Sequence, residues 1–249
     1  MSAASLRGPA RRVRLGMLTP SSNTALEPLT AAMLAGIPEV SAHFARFRVT
    51  EISLRDQALS QFDDAAILEA ARLLADAQVD VIAWNGTSAG WLGFERDQVL
   101  CARIETETGV PACTSVLALN EAMRQAGCRR FALLSPYLRE VQQRIIANYA
   151  DHGFECVAER HLGLSVNFSF AQVTEGQIEA MARDAAREGM PQCLTTFCTN
   201  LRAAQLVPRL EAELGVPVFD TVATAVWGSL RLAGVDPKRV RGWGRLFDL

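Results

Sequence analysis

Short apolar runs alternate with longer amphipathic stretches along most of this chain. The apolar runs have the length of buried strands, and the amphipathic stretches carry apolar residues at helical spacing. The runs predicted as strands are residues 13–18, 43–50, 80–84, 130–134, 155–159 and 192–197. The stretches predicted as helices are residues 25–35, 63–77, 93–108, 138–152, 173–188, 201–214 and 221–233. Strands that alternate with helices are typical of parallel sheets, so an α/β fold is predicted.

The pattern occurs twice, and short motifs repeat with it. The matching segments are 18–21 (LTPS) with 134–137 (LSPY), 86–88 (GTS) with 198–200 (CTN), and 109–111 with 215–217 (both GVP). They fall in the same order, each pair a little less than half the chain apart, which indicates a duplication. We therefore predict two pseudosymmetric Rossmann-like lobes with parallel, four-stranded-type sheets. Ligands bind at the carboxyl ends of such strands, so the active-site cleft is expected between the lobes.

The predicted lobes are residues 13–115 and 116–220, with the C-terminal segment 221–249 returning to the first lobe. Residues 1–12 are arginine-rich and are predicted to be a flexible arm. A second reading of the match between halves is that all strand–helix units look alike. The ordered offsets favour duplication over that alternative.

Composition narrows the function. The 249 residues carry 25 basic and 27 acidic side chains, a net charge of −2. This near-neutral charge does not indicate binding to nucleic acid. No apolar run is long enough to span a membrane. The six cysteines show no CxxC pair, which favours a reduced cytoplasm. His43, His152 and His161 lack the spacing of metal ligands, so no metal site is predicted.

The two matching strand ends differ in their chemistry. One ends at Gly86 and the other at Cys198, so a cavity between facing lobes would hold one thiol opposite a bare glycine. The helix predicted at 201–214 should lower the pKa of that thiol through its dipole. Such a cysteine could act as acid, base or nucleophile. The alternative is a buried cysteine that only fills space.

Hydroxyl groups lie beside both strand ends. Thr87 and Ser88 could bind a carboxylate or an enediolate, or could simply cap a helix. Tyr137 could donate its hydroxyl to an oxyanion, or could be a half-buried aromatic residue. Trp91 is predicted to form an apolar wall of the cleft.

The turn after the first strand is rich in polar residues. Ser21, Ser22 and Asn23 could capture a carboxylate, with backbone N–H groups of the following helix assisting. The alternative is that they cap that helix. The turn holds more polar groups than a cap needs, which keeps both interpretations open.

These motifs resemble those of the aspartate/glutamate racemase superfamily. Residues 20–24 (PSSNT) are similar to the maleate cis–trans isomerase branch, and residues 198–202 (CTNLR) fit the second cysteine motif of the superfamily. Residues 86–88 (GTS), 136–137 (PY) and 242–247 (GWGRLF) instead resemble arylmalonate decarboxylase. The resemblance implies an enzyme without a cofactor that acts on a small dicarboxylic acid, and it leaves a homo-oligomer open.

By this resemblance, Cys198 would protonate an enediolate held in a dioxyanion hole after a malonate-type acid has lost CO2. An isomerase of maleate-like acids is the second hypothesis, although it implies a nucleophilic cysteine where this chain has Gly86. A carboxylate-binding protein without activity is the third. The residues expected to bind the carboxylates are Thr87, Ser88, Tyr137, Gly86, Thr199, Asn200, Ser21, Ser22 and Asn23, with Pro20 and Trp91 as the wall.

Overall fold

The computed structural model describes residues 12–59, 61 and 64–249. The predicted flexible arm therefore lies outside the described residues, apart from Arg12. Two parallel four-stranded sheets form the framework, with strand orders β2-β1-β3-β4 and β6-β5-β7-β8. The strands are β1 Val13–Pro20, β2 Val40–Phe47, β3 Val81–Trp84, β4 Ala112–Thr114, β5 Arg130–Ser135, β6 Glu155–His161, β7 Cys193–Thr196 and β8 Val218–Asp220. The shared order confirms the predicted pseudosymmetric α/β fold.

Helices connect the strands and cover the sheets. They are α1 Leu26–Leu34, α2 Asp56–Leu59, α3 Asp64–Asp76, α4 Ala89–Leu92, α5 Phe94–Thr108, α6 Ser115–Gln125, α7 Arg139–Asp151, α8 Asn167–Phe170, α9 Glu175–Gly189, α10 Val207–Leu214 and α11 Thr221–Leu232. None of the helices in the described part of the chain is long and apolar enough to cross a membrane.

The repeated GVP motif has a structural meaning in both halves. Gly109 ends α5 and Gly215 ends α10, each in the left-handed conformation with φ of 70° and 76°. Glycine adopts that conformation at no steric cost, so it ends the helix and turns the chain back to the sheet. Each motif then leads into a three-residue strand, β4 or β8. The apolar pattern did not predict these strands because they are too short to show alternation.

The last long helix joins the two halves. α11 begins directly after β8, where the Asp220 carboxylate caps it by accepting hydrogen bonds from Val222 N and Ala223 N. It packs against α6 and β4, and Thr224 Oγ1 donates to Ser115 O at 2.8 Å. The boundaries between lobes at 115/116 and 220/221 stay a prediction.

One predicted helix starts in the wrong place. The segment expected to be helical from residue 201 begins with a turn and a short 3-10 helix at Ala204–Leu206, and α10 starts only at Val207. Pro208 sits in the first turn of α10, where its missing N–H and fixed φ are tolerated. No helix begins immediately after Cys198, and this changes the electrostatics of the thiol.

Candidate active site

A small cavity lies between the two halves, at the carboxyl ends of the strands. Its predicted lining residues are Pro20, Gly86, Thr87, Trp91, Tyr137, Cys198 and Thr199. Four further residues line it that the sequence pattern did not single out: Val49, Ile52, Trp84 and Asn167. The cavity has room for about one or two water molecules. The structure thus brings the thiol and the glycine strand end together.

Cys198 is buried in this cavity, with 2% of its surface exposed. Burial raises the pKa of its thiol to about 12, even though hydrogen bonds from Tyr137 and from Asn200 N favour the thiolate; the negative charge of Asp220 adds to the rise. The expectation that a helix dipole lowers this pKa is wrong, because the thiol is desolvated and no helix starts beside it. The thiol is therefore protonated at neutral pH.

Two hydroxyl groups connect the strand ends to the thiol. Thr87 Oγ1 and Tyr137 OH are 2.6 Å apart, and Tyr137 also hydrogen bonds with Cys198. The ring of Tyr137 is held edge-on by Trp91 and Phe170, with ring centroids 5.5 Å apart in each pair. Burial raises the pKa of Tyr137 well above its ordinary value, so its hydroxyl remains a donor. A continuous chain of donors thus runs from one half to the other.

Ser88 does not line this cavity. It lies beside a second small cavity together with Asp97, and Trp84 lines both cavities. The Asp97 carboxyl group is 2% exposed, and burial raises its pKa to about 7. Trp84 therefore borders both this cavity and the cavity beside a buried acid.

Asn23 and Thr199 form a hydrogen-bonded connection between the halves. The Asn23 Oδ1 atom accepts from Ala25 N at 3.0 Å and from Leu26 N at 2.9 Å, which satisfies free N–H groups at the start of α1. Its Nδ2 donates to Thr199 O at 3.0 Å. The Thr199 hydroxyl in turn donates to Asn85 O at 2.9 Å.

Asn200 makes a second connection of the same kind. Its Oδ1 accepts from Thr24 N at 2.9 Å and Ala25 N at 3.2 Å, and its Nδ2 donates to Asn167 O at 2.6 Å. The amide of Asn167 donates to Ser22 Oγ at 2.8 Å. These amides are thus bonded to protein groups, and their proposed role as carboxylate ligands stays a prediction.

The hydroxyls of the first turn are also bonded to protein. Ser22 Oγ donates to Val49 O at 2.7 Å, and Ser21 Oγ lies 3.4 Å from the same oxygen. Neither serine lines the reaction cavity. Both hold Val49, which precedes the segment 50–52 that covers the cavity.

The roof consists of one segment from each half. Ile52 N donates to Ser165 O at 2.8 Å, and Asn167 N donates to Thr50 O at 2.9 Å. Glu51 and Val166 form an antiparallel bridge between these bonds. Local patterns do not predict this roof, because its two segments are far apart in the sequence and meet only in the folded chain.

The cavity lining carries no basic side chain among the described residues. Negative charge placed here would be bound by neutral donors: hydroxyls, the thiol and backbone N–H groups. No group of three or more His, Cys, Asp or Glu side chains suited to a metal ion occurs in the described part of the chain. Neutral donors in a dry site stabilise an oxyanion well, because solvent does not screen them.

The two matching α/β halves enclose a cavity that is lined by one cysteine, Cys198. This arrangement is that of a class of two-lobed enzymes. The chain belongs to the arylmalonate decarboxylase family, whose model matches residues 15–247. Among curated relatives, it is 26% identical to the maleate isomerase of Pseudomonas putida over 90% of this chain and 93% of the relative. It is 29% identical to the arylmalonate decarboxylase of Bordetella bronchiseptica over 74% of this chain and 77% of the relative.

Solved structures are similar over nearly the whole chain. The maleate cis–trans isomerase of Nocardia farcinica, in a cysteine-to-serine variant with a covalently bound succinylcysteine intermediate, gives a TM-score of 0.86 at 25% identity, covering 94% of this chain and 98% of the other. A crystal structure of arylmalonate decarboxylase gives a TM-score of 0.78 at 25% identity, covering 94% and 99%. Both enzyme types in the family therefore share this fold.

Proposed function

We propose that this protein is a cofactor-independent decarboxylase of malonate-type dicarboxylic acids, including aryl-substituted ones. One observation carries the proposal: the cavity contains a single thiol, Cys198, and faces Gly86 on the opposite strand end. Decarboxylation forms its carbanion by losing CO2 and needs no base. A lone proton donor is therefore sufficient for the reaction.

The proposed reaction has two steps. The bond between the substrate's central carbon and one carboxylate breaks, CO2 leaves, and the electron pair passes into the remaining carboxylate as an enediolate. Thr87, Tyr137 and nearby backbone N–H groups donate hydrogen bonds to its oxygens. The Cys198 thiol then gives its proton to the carbon on one face, and the resulting thiolate regains a proton from solvent when product leaves.

The apolar lining supports the first step. Trp84, Trp91 and Ile52 line the cavity and surround the departing carboxylate with hydrocarbon. Because charge is poorly solvated there, the bound carboxylate is destabilised relative to neutral CO2, and this favours loss of CO2. A malonate-type acid is larger than this cavity, so we expect the lining to rearrange when substrate binds.

An isomerase acting on maleate-like acids is the second candidate. The similarity to maleate isomerases over 90% or more of the chain favours it. It requires addition to the double bond, and Gly86 offers no nucleophile for that step. Cys198 or the Thr87 hydroxyl would have to attack instead.

The experiment is a direct comparison of substrates. The protein is incubated with phenylmalonate while CO2 release is measured, and with maleate while fumarate is followed by NMR. Decarboxylation in D2O should place one deuterium on the product carbon. Fumarate formation without CO2 release would replace the decarboxylase by the isomerase, and binding of both acids without turnover would indicate a carboxylate-binding protein.

Cys198→Ala should lower the decarboxylation rate by more than about 10²-fold, as expected for loss of a proton donor. Cys193→Ala is the matched control, because Cys193 lies earlier in the same segment and is fully buried away from the cavity lining. The wild-type rate should not fall as the pH rises from 7 to about 9, since burial raises the pKa of the Cys198 thiol to about 12. Near-normal turnover by Cys198→Ala would remove this residue from the mechanism.

A further inference from the structure

We infer that Trp84 is a specificity-determining residue: its indole confines position 86 to glycine and limits the size of the group that the cavity accepts. The confinement of position 86 is independent of the reaction. The limit on substrate size rests on the proposed function.

The first observation is steric. A Cβ atom added to Gly86 would lie 1.9 Å from Trp84 Cζ2, 2.4 Å from Cε2 and 2.5 Å from Cη2. Contacts below 3.0 Å essentially never occur for real Cβ atoms. Any side chain at position 86 therefore requires the indole to move.

The indole has little freedom to move. Trp84 is 1% exposed and packs against the ring of Phe47, with centroids 5.1 Å apart. Protein cores are close-packed, so a displaced indole would have to push its neighbours aside. The Gly86 backbone itself is not in the positive-φ region where glycine is required. The reason for glycine here is thus the neighbouring ring and not the turn.

The second observation concerns what lies behind the indole. Trp84 lines both the reaction cavity and the cavity that holds the Asp97 carboxyl group. The Oδ2 atom of Asp97 is buried without a hydrogen-bond partner among the described residues. A smaller residue at position 84 would join the two cavities and extend the space beside Gly86. Trp84 therefore sets both the length of the reaction cavity and its separation from a buried acid.

The residue at position 84 therefore determines which residues can be accommodated at position 86. While the indole is in place, no thiol, carboxyl or hydroxyl side chain fits at position 86. Changing Gly86 to cysteine alone is thus expected to damage packing before it creates a second reactive group. A second group would require a smaller residue at position 84 as well.

A double-mutant cycle tests the steric coupling. In the wild-type background, Gly86→Ala should lower Tm by about 4–8 °C, because overpacking a core costs about 2 kcal/mol and each kcal/mol shifts Tm by about 2–4 °C in a chain of this size. In a Trp84→Leu background the same change should lower Tm by less than about 2 °C. Gly36→Ala is the matched control, because an added Cβ there meets nothing within 4 Å. Equal losses in both backgrounds would overturn the inference.

Substrate size is tested in the same variants. Trp84→Leu should raise the preference for phenylmalonate over methylmalonate by at least about fivefold, measured as the ratio of binding constants from ligand-dependent Tm shifts. Trp84→Phe is used if Trp84→Leu does not fold. An unchanged ratio would overturn the size limit. If the wild type binds these acids but releases no CO2, the decarboxylase proposal fails while the cycle and the binding ratio still decide the role of Trp84.

Discussion

Asn200 offers the sharpest test of whether the polar residues near the cavity join the two halves or bind substrate. Its side chain makes three hydrogen bonds, with Thr24 N, Ala25 N and Asn167 O. Asn200→Ala removes all three. If the residue chiefly joins the halves, the change should be seen first in stability.

The magnitude follows from the groups that would lose their partners. Ala25 N keeps its bond to Asn23 Oδ1, so it is not orphaned. Thr24 is exposed, and its N–H can instead donate a hydrogen bond to water. Asn167 is 4% exposed, so its carbonyl would lose a buried hydrogen bond. One fully orphaned group, one partly compensated group and a small void should lower the free energy of unfolding by about 2–4 kcal/mol.

The assay is urea unfolding followed by fluorescence, with kcat and KM measured on the same preparation. Asn148→Ala is the control: its amide also connects the two halves, donating to Ala89 O at 3.0 Å and Gly90 O at 3.1 Å, but it lies outside the reaction cavity. If Asn200→Ala leaves the free energy of unfolding within about 0.5 kcal/mol of wild type and raises KM tenfold or more, Asn200 is a substrate ligand and the connecting role is wrong.

Two further predictions concern buried acids. Tyr137→Phe should lower kcat by about 10²–10³-fold, the usual cost of removing an oxyanion donor, and a loss below about tenfold in steady-state assays would exclude Tyr137 from the hole. Asp97 has its pKa raised by burial from an ordinary 3.8 to about 7, so the folded state binds its proton more tightly than the unfolded state. The contribution of Asp97 to the free energy of unfolding should therefore be fully present below pH 4 and should be lost, by up to about 4 kcal/mol, as the pH rises to 7. Asp97→Asn should remove this part of the pH dependence, and the same pH dependence in both proteins would contradict the assignment.

Much of the fold could be predicted because the duplication is visible in short sequence patterns. The alternation of strands and helices, and the two GVP motifs, depend on residues close together in sequence. The strand predicted at 43–50 lies at Val40–Phe47, and the start of α10 was misplaced by several residues. Such boundaries depend on tertiary contacts that local propensity does not contain.

The site could be predicted only in part, for the same reason. Gly86, Thr87, Tyr137 and Cys198 are signalled by their place at matching strand ends, and they line one cavity. The roof and the position of the Trp84 indole are contacts between segments that no periodicity brings together. The change in the thiol pKa was predicted in the wrong direction. The sequence pattern predicted a helix soon after Cys198, but it does not show that the thiol is buried.

The raised pKa of Cys198 bears directly on the choice between the two candidate reactions. Attack on maleate needs a thiolate, and burial disfavours that form because it raises the pKa of the Cys198 thiol to about 12. Protonation of an enediolate needs the neutral thiol, which is the form that burial favours. A racemase or isomerase of two-group design would also need a partner opposite Cys198, where Trp84 fills the space beside Gly86. Burial, the indole and the glycine therefore favour one-proton chemistry on a single face of the substrate, which is the requirement of decarboxylation.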